Sequence, residues 1–238
     1  MSSGLYGFGF LLGSEGLSCS SVLNVLMSVV KQWTHEIVRR FSHLTPCERK
    51  RSLQCTIESA PDPEAILLFA YGSLIWRPCF EVQSTCKAIL HGYRRDFCVY
   101  TVEARGTSDN PGLGLGLRVD SGSCEGVLLL LPADGRSEAL NSIWEREMLT
   151  AVYQPKWVSV EVDSNITTAL TFVVDESNLQ CAGNLSEEVQ AEMISSAIGK
   201  LGSCRDYLVN TIDALRSTGI HDGLLERLLR RVNNQTFE

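Results

Sequence analysis

Residues 65–78 read AILLFAYGSLIWRP, and this stretch decides how the rest of the chain is interpreted. The first six residues form a continuous apolar run, which is typical of a short, fully buried strand. Tyr71-Gly72-Ser73-Leu74 follow directly, and a turn just beyond a strand leaves backbone N–H groups free to face an anion or a carbonyl oxygen. Many such turns are only structural, so the four residues by themselves predict no more than a candidate binding loop.

Downstream of this stretch the sequence predicts six more strands and four helices. The strands are expected near residues 86–91, 95–101, 113–119, 124–131, 157–163 and 167–174. The helices are expected at 136–149, 186–200, 203–217 and 221–233. Because the strands do not alternate regularly with helices, a mixed α+β fold is favoured over a doubly wound α/β sheet.

Upstream, two helices are predicted. Apolar residues recur at three- or four-residue steps through residues 20–43, which is the pattern of an amphipathic helix. Thr45-Pro46 is a helix-capping pair and predicts a second helix to about residue 56. The cluster Pro61-Asp62-Pro63 is typical of a linker. We therefore divide the chain into an N-terminal helical extension, residues 1–62, and a main domain, residues 63–238.

Composition excludes several classes of partner. The 238 residues include 21 Lys and Arg against 28 Asp and Glu, for a formal net charge of −7. An acidic surface repels phosphate backbones and anionic lipids, so neither nucleic acid nor a membrane is expected as a partner. The nine cysteines contain no C-x-x-C pair, and the four histidines show no ligand spacing, so no metal is expected. Without a basic secretory start, we expect a cytoplasmic protein with free thiols.

Glu147 is the first candidate for catalysis. On the predicted helix 136–149, Leu140, Ile143 and Trp144 share one apolar face, and Glu147 falls at the next step on the same face. A carboxylate directed towards a core has to be paired or functional, and burial raises its pKa and makes it a better base. The alternative is a salt-bridged glutamate at a helix end, with Arg146 or Arg118 as its neighbour.

Two further side chains are candidates for substrate binding. The guanidinium of Arg105 has the geometry to pair bidentately with a carboxylate, although an arginine in a surface turn is equally common. The Tyr207 hydroxyl can donate a hydrogen bond from a helix face, although a buried structural tyrosine is at least as common.

Several segments together resemble the ChaC family of γ-glutamylcyclotransferases, and its bacterial members in particular. Residues 68–78 resemble the family's opening signature, except that Ala70 stands where the family usually has glycine. Further matches follow in the family's order, and the resemblance covers about residues 45–232. They are Arg105-Gly106-Thr107 with Pro111-Gly112, Gly126-Val127, residues 143–148 (IWEREM), Tyr153-x-Pro155-x-Trp157 and Asp206-Tyr207-Leu208.

The resemblance implies a fold, a reaction and a site. The fold is a γ-glutamylcyclotransferase-like mixed β-barrel or strongly curved sheet flanked by helices. The reaction is cofactor-free cleavage of glutathione to 5-oxoproline and Cys-Gly, with Glu147 as the general base. The implied substrate-binding residues are Leu68, Phe69, Ala70, Tyr71, Gly72, Ser73, Leu74, Arg105 and Tyr207. Two alternatives stay open: a cyclotransferase for other γ-glutamyl amino acids or γ-glutamylamines, and a non-catalytic γ-glutamyl-binding module.

Overall fold

The apolar run of the opening stretch is the first strand of a closed barrel. In the computed structural model, which describes residue 41 and residues 43–235, strand β1 spans Leu67–Ala70. The other barrel strands are β2 (Ser84–Thr101), β3 (Gly112–Leu130), β4 (Tyr153–Val162) and β5 (Asn165–Val174). They are ordered β1-β3-β2-β4-β5, and β5 pairs back in parallel with β1. The expected α+β fold with a mixed barrel is confirmed.

The long hairpin of β2 and β3 differs from the sequence-based prediction. Four short strands were expected here, but 86–91 and 95–101 belong to β2, and 113–119 and 124–131 belong to β3. The register shifts between His91 and Tyr93, where Gly92 adopts a φ of 82°. The turn-like residues Asp120-Ser121-Gly122 lie opposite this shift and form a β-bulge, so each strand bends but continues.

The β4–β5 hairpin agrees with the prediction. Asp163 and Ser164 join the strands with φ values of 47° and 65°, which is the left-handed geometry of a tight two-residue hairpin turn. Trp144, on the helix before β4, packs edge-on against Phe172 of β5 at a centroid distance of 5.4 Å. The hydrophobic core therefore continues from the barrel into the helices that cover it.

Five helices surround the barrel in the described part of the chain. They are α1 (Pro46–Glu58), α2 (Arg136–Glu147), α3 (Glu187–Ser196), α4 (Cys204–Ser217) and α5 (Gly223–Gln235). A capping box between Thr45 and Glu48 starts α1, and Ser203 accepts the Asp206 N–H at 2.9 Å to start α4. These two starts were predicted from the sequence.

Helix α3 is shorter than the predicted helix 186–200, which is therefore wrong at its C-terminal end. Ala197 is extended, and two short strands follow, β6 (Ile198–Gly199) and β7 (Gly202–Ser203). The N–H groups of Lys200 and Leu201 donate to the carbonyls of Glu103 and Ala104, at 2.8 Å each. Hydrogen bonds to a distant loop thus replace the last helical turn.

Helix α1 packs on the main domain. The indole N–H of Trp144 donates to Ser52 Oγ at 3.2 Å, and that of Trp157 donates to the Thr56 carbonyl at 3.0 Å. The boundary between residues 62 and 63 stays a prediction. The helix expected at 20–43 lies largely outside the described residues, although His43 itself pairs with Thr150 in a β-bridge. Among the described helices, none has the length and apolar character needed to cross a bilayer.

Candidate active site

The loop after β1 is held in place from outside the site. The Nε of Arg95, a buried side chain of β2, donates to the Tyr71 carbonyl at 2.8 Å. Arg95 also forms an ion pair with Asp222 at 2.6 Å. Within the loop, the N–H groups of Ile75 and Arg77 donate to the carbonyls of Gly72 and Ser73. The backbone of the loop is therefore rigidly oriented.

The N–H groups at the tip of this loop are unused. Within the described ranges, the amides of Gly72, Ser73 and Leu74 have no hydrogen-bond acceptor. A side chain at position 72 would place its Cβ 3.3 Å from the Tyr207 hydroxyl, so the glycine allows α4 to approach the loop closely. Consecutive free N–H groups make a binding site for a carboxylate or an oxyanion.

A small inner cavity of about 40 Å³ lies beside the loop, and the loop, α2, α4 and the barrel all contribute to its wall. Its lining residues are Phe69, Ala70, Tyr71, Gly72, Ser73, Leu74, Leu115, Glu147, Tyr153, Phe172 and Tyr207. The loop residues with free N–H groups and the hydroxyl and carboxylate side chains of the barrel and helices therefore line one space.

Two tyrosine hydroxyls in the inner cavity have a fixed direction of hydrogen bonding. Tyr71 donates its hydroxyl proton to the Phe172 carbonyl at 2.8 Å, and Tyr153 donates to the Leu115 carbonyl at 2.7 Å. Because each proton is committed to the backbone, each oxygen can only accept a hydrogen bond from a ligand. Burial, followed by nearby negative groups such as Glu147, raises the pKa of the Tyr71 hydroxyl well above its usual value, so the neutral form persists.

Glu147, the last residue of α2, contributes the carboxylate of the cavity. Its side chain is 17% exposed, and Oε1 lies 3.2 Å from the Nε of Arg146. Burial raises the pKa of the Glu147 carboxyl, and the charge of Arg146 opposes this only in part. Of the two neighbours predicted from the sequence, Arg146 is therefore the partner, whereas Arg118 pairs with Asp96 at 3.2 Å.

Arg146 connects the carboxylate to the loop. Besides its contact with Glu147, it donates to Ser73 Oγ at 2.7 Å and to the Arg77 carbonyl. The hydroxyl of Ser73 also lies near Tyr207, whose pKa is raised to about 12, chiefly by burial. One guanidinium thus fixes the carboxylate and the loop relative to each other.

The inner cavity opens into a larger cleft, which we call the outer cleft, of about 670 Å³. Ser73, Glu147, Tyr153 and Tyr207 line both spaces. Arg105 lies in the wall of the outer cleft, 8% exposed, with its guanidinium 5.8 Å from the Trp76 ring centroid and 5.7 Å from that of Tyr207. A ligand spanning both spaces would pass directly over Glu147.

The structure brings together most of the residues predicted for the site. Phe69 to Leu74, Glu147 and Tyr207 line the inner cavity, and Arg105 lines the outer cleft. Leu68 does not line either space, because its side chain is fully buried in the barrel core. Sequence reasoning did not assign Tyr153, although the motif Tyr153-x-Pro155-x-Trp157 pointed to it. It also did not assign Arg95, and it named Arg146 only as a possible salt-bridge neighbour of Glu147.

The site is built without any evident metal-binding group. Within residues 41 and 43–235, no three His, Cys, Asp or Glu side chains cluster as a metal site would need. The chemistry that its own residues offer is that of a partly buried base, aligned hydroxyl acceptors and free backbone donors.

Comparisons with known proteins identify the family. The family model for ChaC-like proteins matches residues 66–235. The chain is 33% identical over 192 residues to the glutathione-specific γ-glutamylcyclotransferase of Escherichia coli, covering 80% of this chain and 83% of that protein. It is 31% identical over 162 residues to glutathione-specific γ-glutamylcyclotransferase 1 of Rattus norvegicus, covering 66% and 73%.

A solved structure shares the fold. The crystal structure of a γ-glutamylcyclotransferase specific to glutathione from yeast superposes with a TM-score of 0.67 at 22% identity, covering 72% of this chain and 96% of that one. Together with the barrel and the matched residues, these findings show that the chain belongs to the ChaC-like family.

Proposed function

We propose that this protein is a glutathione-specific γ-glutamylcyclotransferase, which converts glutathione to 5-oxoproline and Cys-Gly without a cofactor. The observation that carries the proposal is the position of Glu147. A carboxylate with a raised pKa lines one small cavity together with loop residues whose backbone N–H groups are free. The names of the relatives from Escherichia coli and Rattus norvegicus point to the same reaction.

The hydrogen-bond donors and acceptors of the inner cavity complement those of the γ-glutamyl group. An ammonium group donates three hydrogen bonds, and the Tyr71 and Tyr153 oxygens and the Glu147 carboxylate offer three acceptors. A carboxylate or carbonyl oxygen needs donors, which the free amides of Gly72 to Leu74 supply. Arg105, with its buried charge at the edge of the outer cleft, binds a carboxylate of the substrate.

The reaction then follows from proton transfer in a folded substrate. Glu147 removes a proton from the α-ammonium, and the free amine attacks the γ-carbonyl of its own chain to close a five-membered lactam. The reacting groups are already tethered, so the enzyme mainly holds them in the conformation for attack. The loop N–H groups stabilise the oxyanion, and Glu147 returns its proton to the Cys-Gly nitrogen as the C–N bond breaks. The attacking nitrogen gives up its second proton to the same leaving amine, so that the lactam keeps one N–H and Cys-Gly departs as an ammonium.

We also propose that the protein acts in the cytoplasm. Every cysteine in the described ranges has a free thiol. This includes Cys98 and Cys181, whose thiols lie close together. Free thiols are typical of a reducing compartment, which is also where glutathione is abundant in its reduced form.

The direct test is incubation of the purified protein with reduced glutathione, followed by mass spectrometry for 5-oxoproline and Cys-Gly in equal amounts. γ-Glutamyl-alanine in competition measures specificity, and we expect glutathione to be turned over faster. Equal or faster turnover of the dipeptide would indicate a broader cyclotransferase. Binding of glutathione without any product would indicate a γ-glutamyl-binding module instead.

A further inference from the structure

The outer cleft contains two arginine side chains that have no acidic partner at salt-bridge distance in the described part of the chain. Arg105 is buried in its wall, and Arg77 is exposed at its edge. Among the residues that the structure describes, the Arg105 guanidinium donates one hydrogen bond, to the Ser203 carbonyl at 3.3 Å. A buried guanidinium without a carboxylate keeps most of its desolvation penalty until an anion binds.

The two arginines are close enough to affect each other. The pKa of Arg105 is lowered, first by burial and also by the positive charge of Arg77, while Asp206 acts in the opposite direction. Both side chains nevertheless line the same cleft. Two like charges on one concave surface make it a site for an anion.

The remaining charges of the outer cleft do not cancel this pair. Arg146 and Glu147 neutralise each other at 3.2 Å, which leaves Glu145 as the one further acid among the described lining residues. The cleft is therefore locally positive, although the whole chain carries a formal net charge of −7. An anionic part of the substrate would be attracted to this surface specifically.

The backbone of Arg77 is tied to the catalytic loop. Its N–H donates to the Ser73 carbonyl at 2.8 Å, and its own carbonyl accepts a hydrogen bond from Arg146. These hydrogen bonds fix the backbone of Arg77 next to Arg146, and the Arg77 guanidinium extends from that position. In an extended Cys-Gly unit, the terminal carboxylate lies about 7 Å from the bond to be broken, because each residue spans roughly 3.3–3.6 Å. A substrate with its γ-carbonyl in the inner cavity would extend its glycine carboxylate towards the outer cleft, because the two spaces share lining residues such as Glu147 and Tyr207.

We propose that Arg77 and Arg105 bind the C-terminal glycine carboxylate of glutathione in the outer cleft and so select this tripeptide among γ-glutamyl compounds. This inference rests on the proposed function and assigns Arg77, which is otherwise an exposed side chain, as a specificity-determining residue. Arg105 holds the carboxylate from the wall, beside Trp76 and Tyr207, and Arg77 closes over it from the edge.

The test compares glutathione with its glycine monoethyl ester, in which the C-terminal carboxylate is replaced by a neutral ester. We expect the wild-type protein to show a kcat/KM for glutathione roughly ten- to a hundredfold above that for the ester, as for loss of a charged hydrogen-bond pair. Arg77→Ala should lower this ratio roughly three- to tenfold, because Arg105 remains to bind the carboxylate. Arg51→Ala, which removes an exposed arginine of α1 remote from both cavities, should leave the ratio and the rate unchanged.

Binding is measured in parallel by calorimetry in the Glu147→Gln background, so that the subsite is decided even without turnover. The same loss of the glutathione-to-ester affinity ratio on Arg77→Ala supports the proposal. A wild-type ratio near one, or an equal loss for both ligands on Arg77→Ala, overturns it. Absence of product from both substrates, with the affinity ratio intact, would overturn the proposed function but support the carboxylate subsite.

Discussion

The Nε of Arg146 lies 3.2 Å from Oε1 of Glu147, the next residue in the chain. Burial favours the neutral acid, and so does the position at the carboxyl end of a helix, whereas the guanidinium favours the carboxylate. The balance raises the pKa of Glu147 above its usual value. The carboxylate is therefore a stronger base than an exposed glutamate, and it is held at a fixed distance from the binding loop.

Glu147→Gln tests the assignment of the base. Glutamine has nearly the same shape but cannot accept the ammonium proton, so we expect turnover of glutathione to fall roughly a hundred- to ten-thousandfold. Affinity should fall less, because the loop and Arg105 remain. The control is Glu138→Gln, an exposed position on the same helix. Near wild-type turnover by Glu147→Gln would refute the assignment and direct attention to Glu145, Glu103 and Tyr207.

The same substitution makes a prediction about stability. A carboxyl whose pKa is higher in the folded state than in the unfolded state reduces stability as pH rises through the interval between the two values. The penalty is absent below the ordinary value of 4.5 and is largest above the folded value. We expect Glu147→Gln to melt at a higher temperature than wild type at about pH 8, with the difference disappearing towards about pH 4. Thermal scans across this range would contradict the raised pKa if the difference did not change with pH.

Tyr153→Phe tests the tyrosine acceptors. The substitution removes an oxygen that we assign to the substrate ammonium and leaves the Leu115 carbonyl without its 2.7 Å partner. We expect kcat/KM for glutathione to fall roughly ten- to a hundredfold. Inhibition by 5-oxoproline, which has no ammonium, should be much less affected. Tyr93→Phe is the matched control in the barrel. If Tyr153→Phe weakened glutathione turnover and 5-oxoproline inhibition equally, the result would indicate a structural role instead.

Arg95 and Arg94 allow a comparison of a buried and a half-exposed arginine in adjacent positions. Arg94 pairs with Asp120 at 3.2 Å and with Asp96, which Arg118 also holds, at 3.4 Å. The Arg95 side chain is 1% exposed and that of Arg94 is 41% exposed. Arg95→Met leaves the Tyr71 carbonyl and Asp222 without their partner, and we expect a loss of about 3–5 kcal/mol in the free energy of unfolding. Arg94→Met should change it by about 0–1 kcal/mol. Urea denaturation measures both, and similar values would show that Arg95 does not support the loop.

Gly199→Ala tests the contact between β6 and the Arg105 loop. A Cβ at this position would lie 2.5 Å from the Gly106 nitrogen and 2.6 Å from the Ala104 carbonyl, so the backbone has to move. Displacement of Arg105 should reduce kcat/KM for glutathione roughly ten- to a hundredfold while circular dichroism stays unchanged. Gly223→Ala, where the nearest atom is the flexible end of Arg227 at 3.4 Å, is the control. Full activity of Gly199→Ala would show that the loop tolerates the shift.

The sequence predicted those parts of the site that depend on local structure. The apolar run before Tyr71 indicated a buried strand and a binding loop at its end, and helical periodicity placed Glu147 on the apolar side of α2. Arg95 gave no such signal, because an arginine in a strand has no local pattern that distinguishes a buried partner of a distant carbonyl from a surface charge.

The sequence by itself determined where most of the strand and helix segments lie, the capped starts of α1 and α4, and the position of the candidate base on its helix. These features depend on residues within a few positions of one another, so short-range periodicity and capping preferences are sufficient. Only the tertiary structure decided that β5 closes the barrel on β1, that Arg95 holds Tyr71 and that Tyr153 aligns its hydroxyl with Leu115. Each of these contacts joins distant segments of chain, and strand register and the packing of the whole core select it.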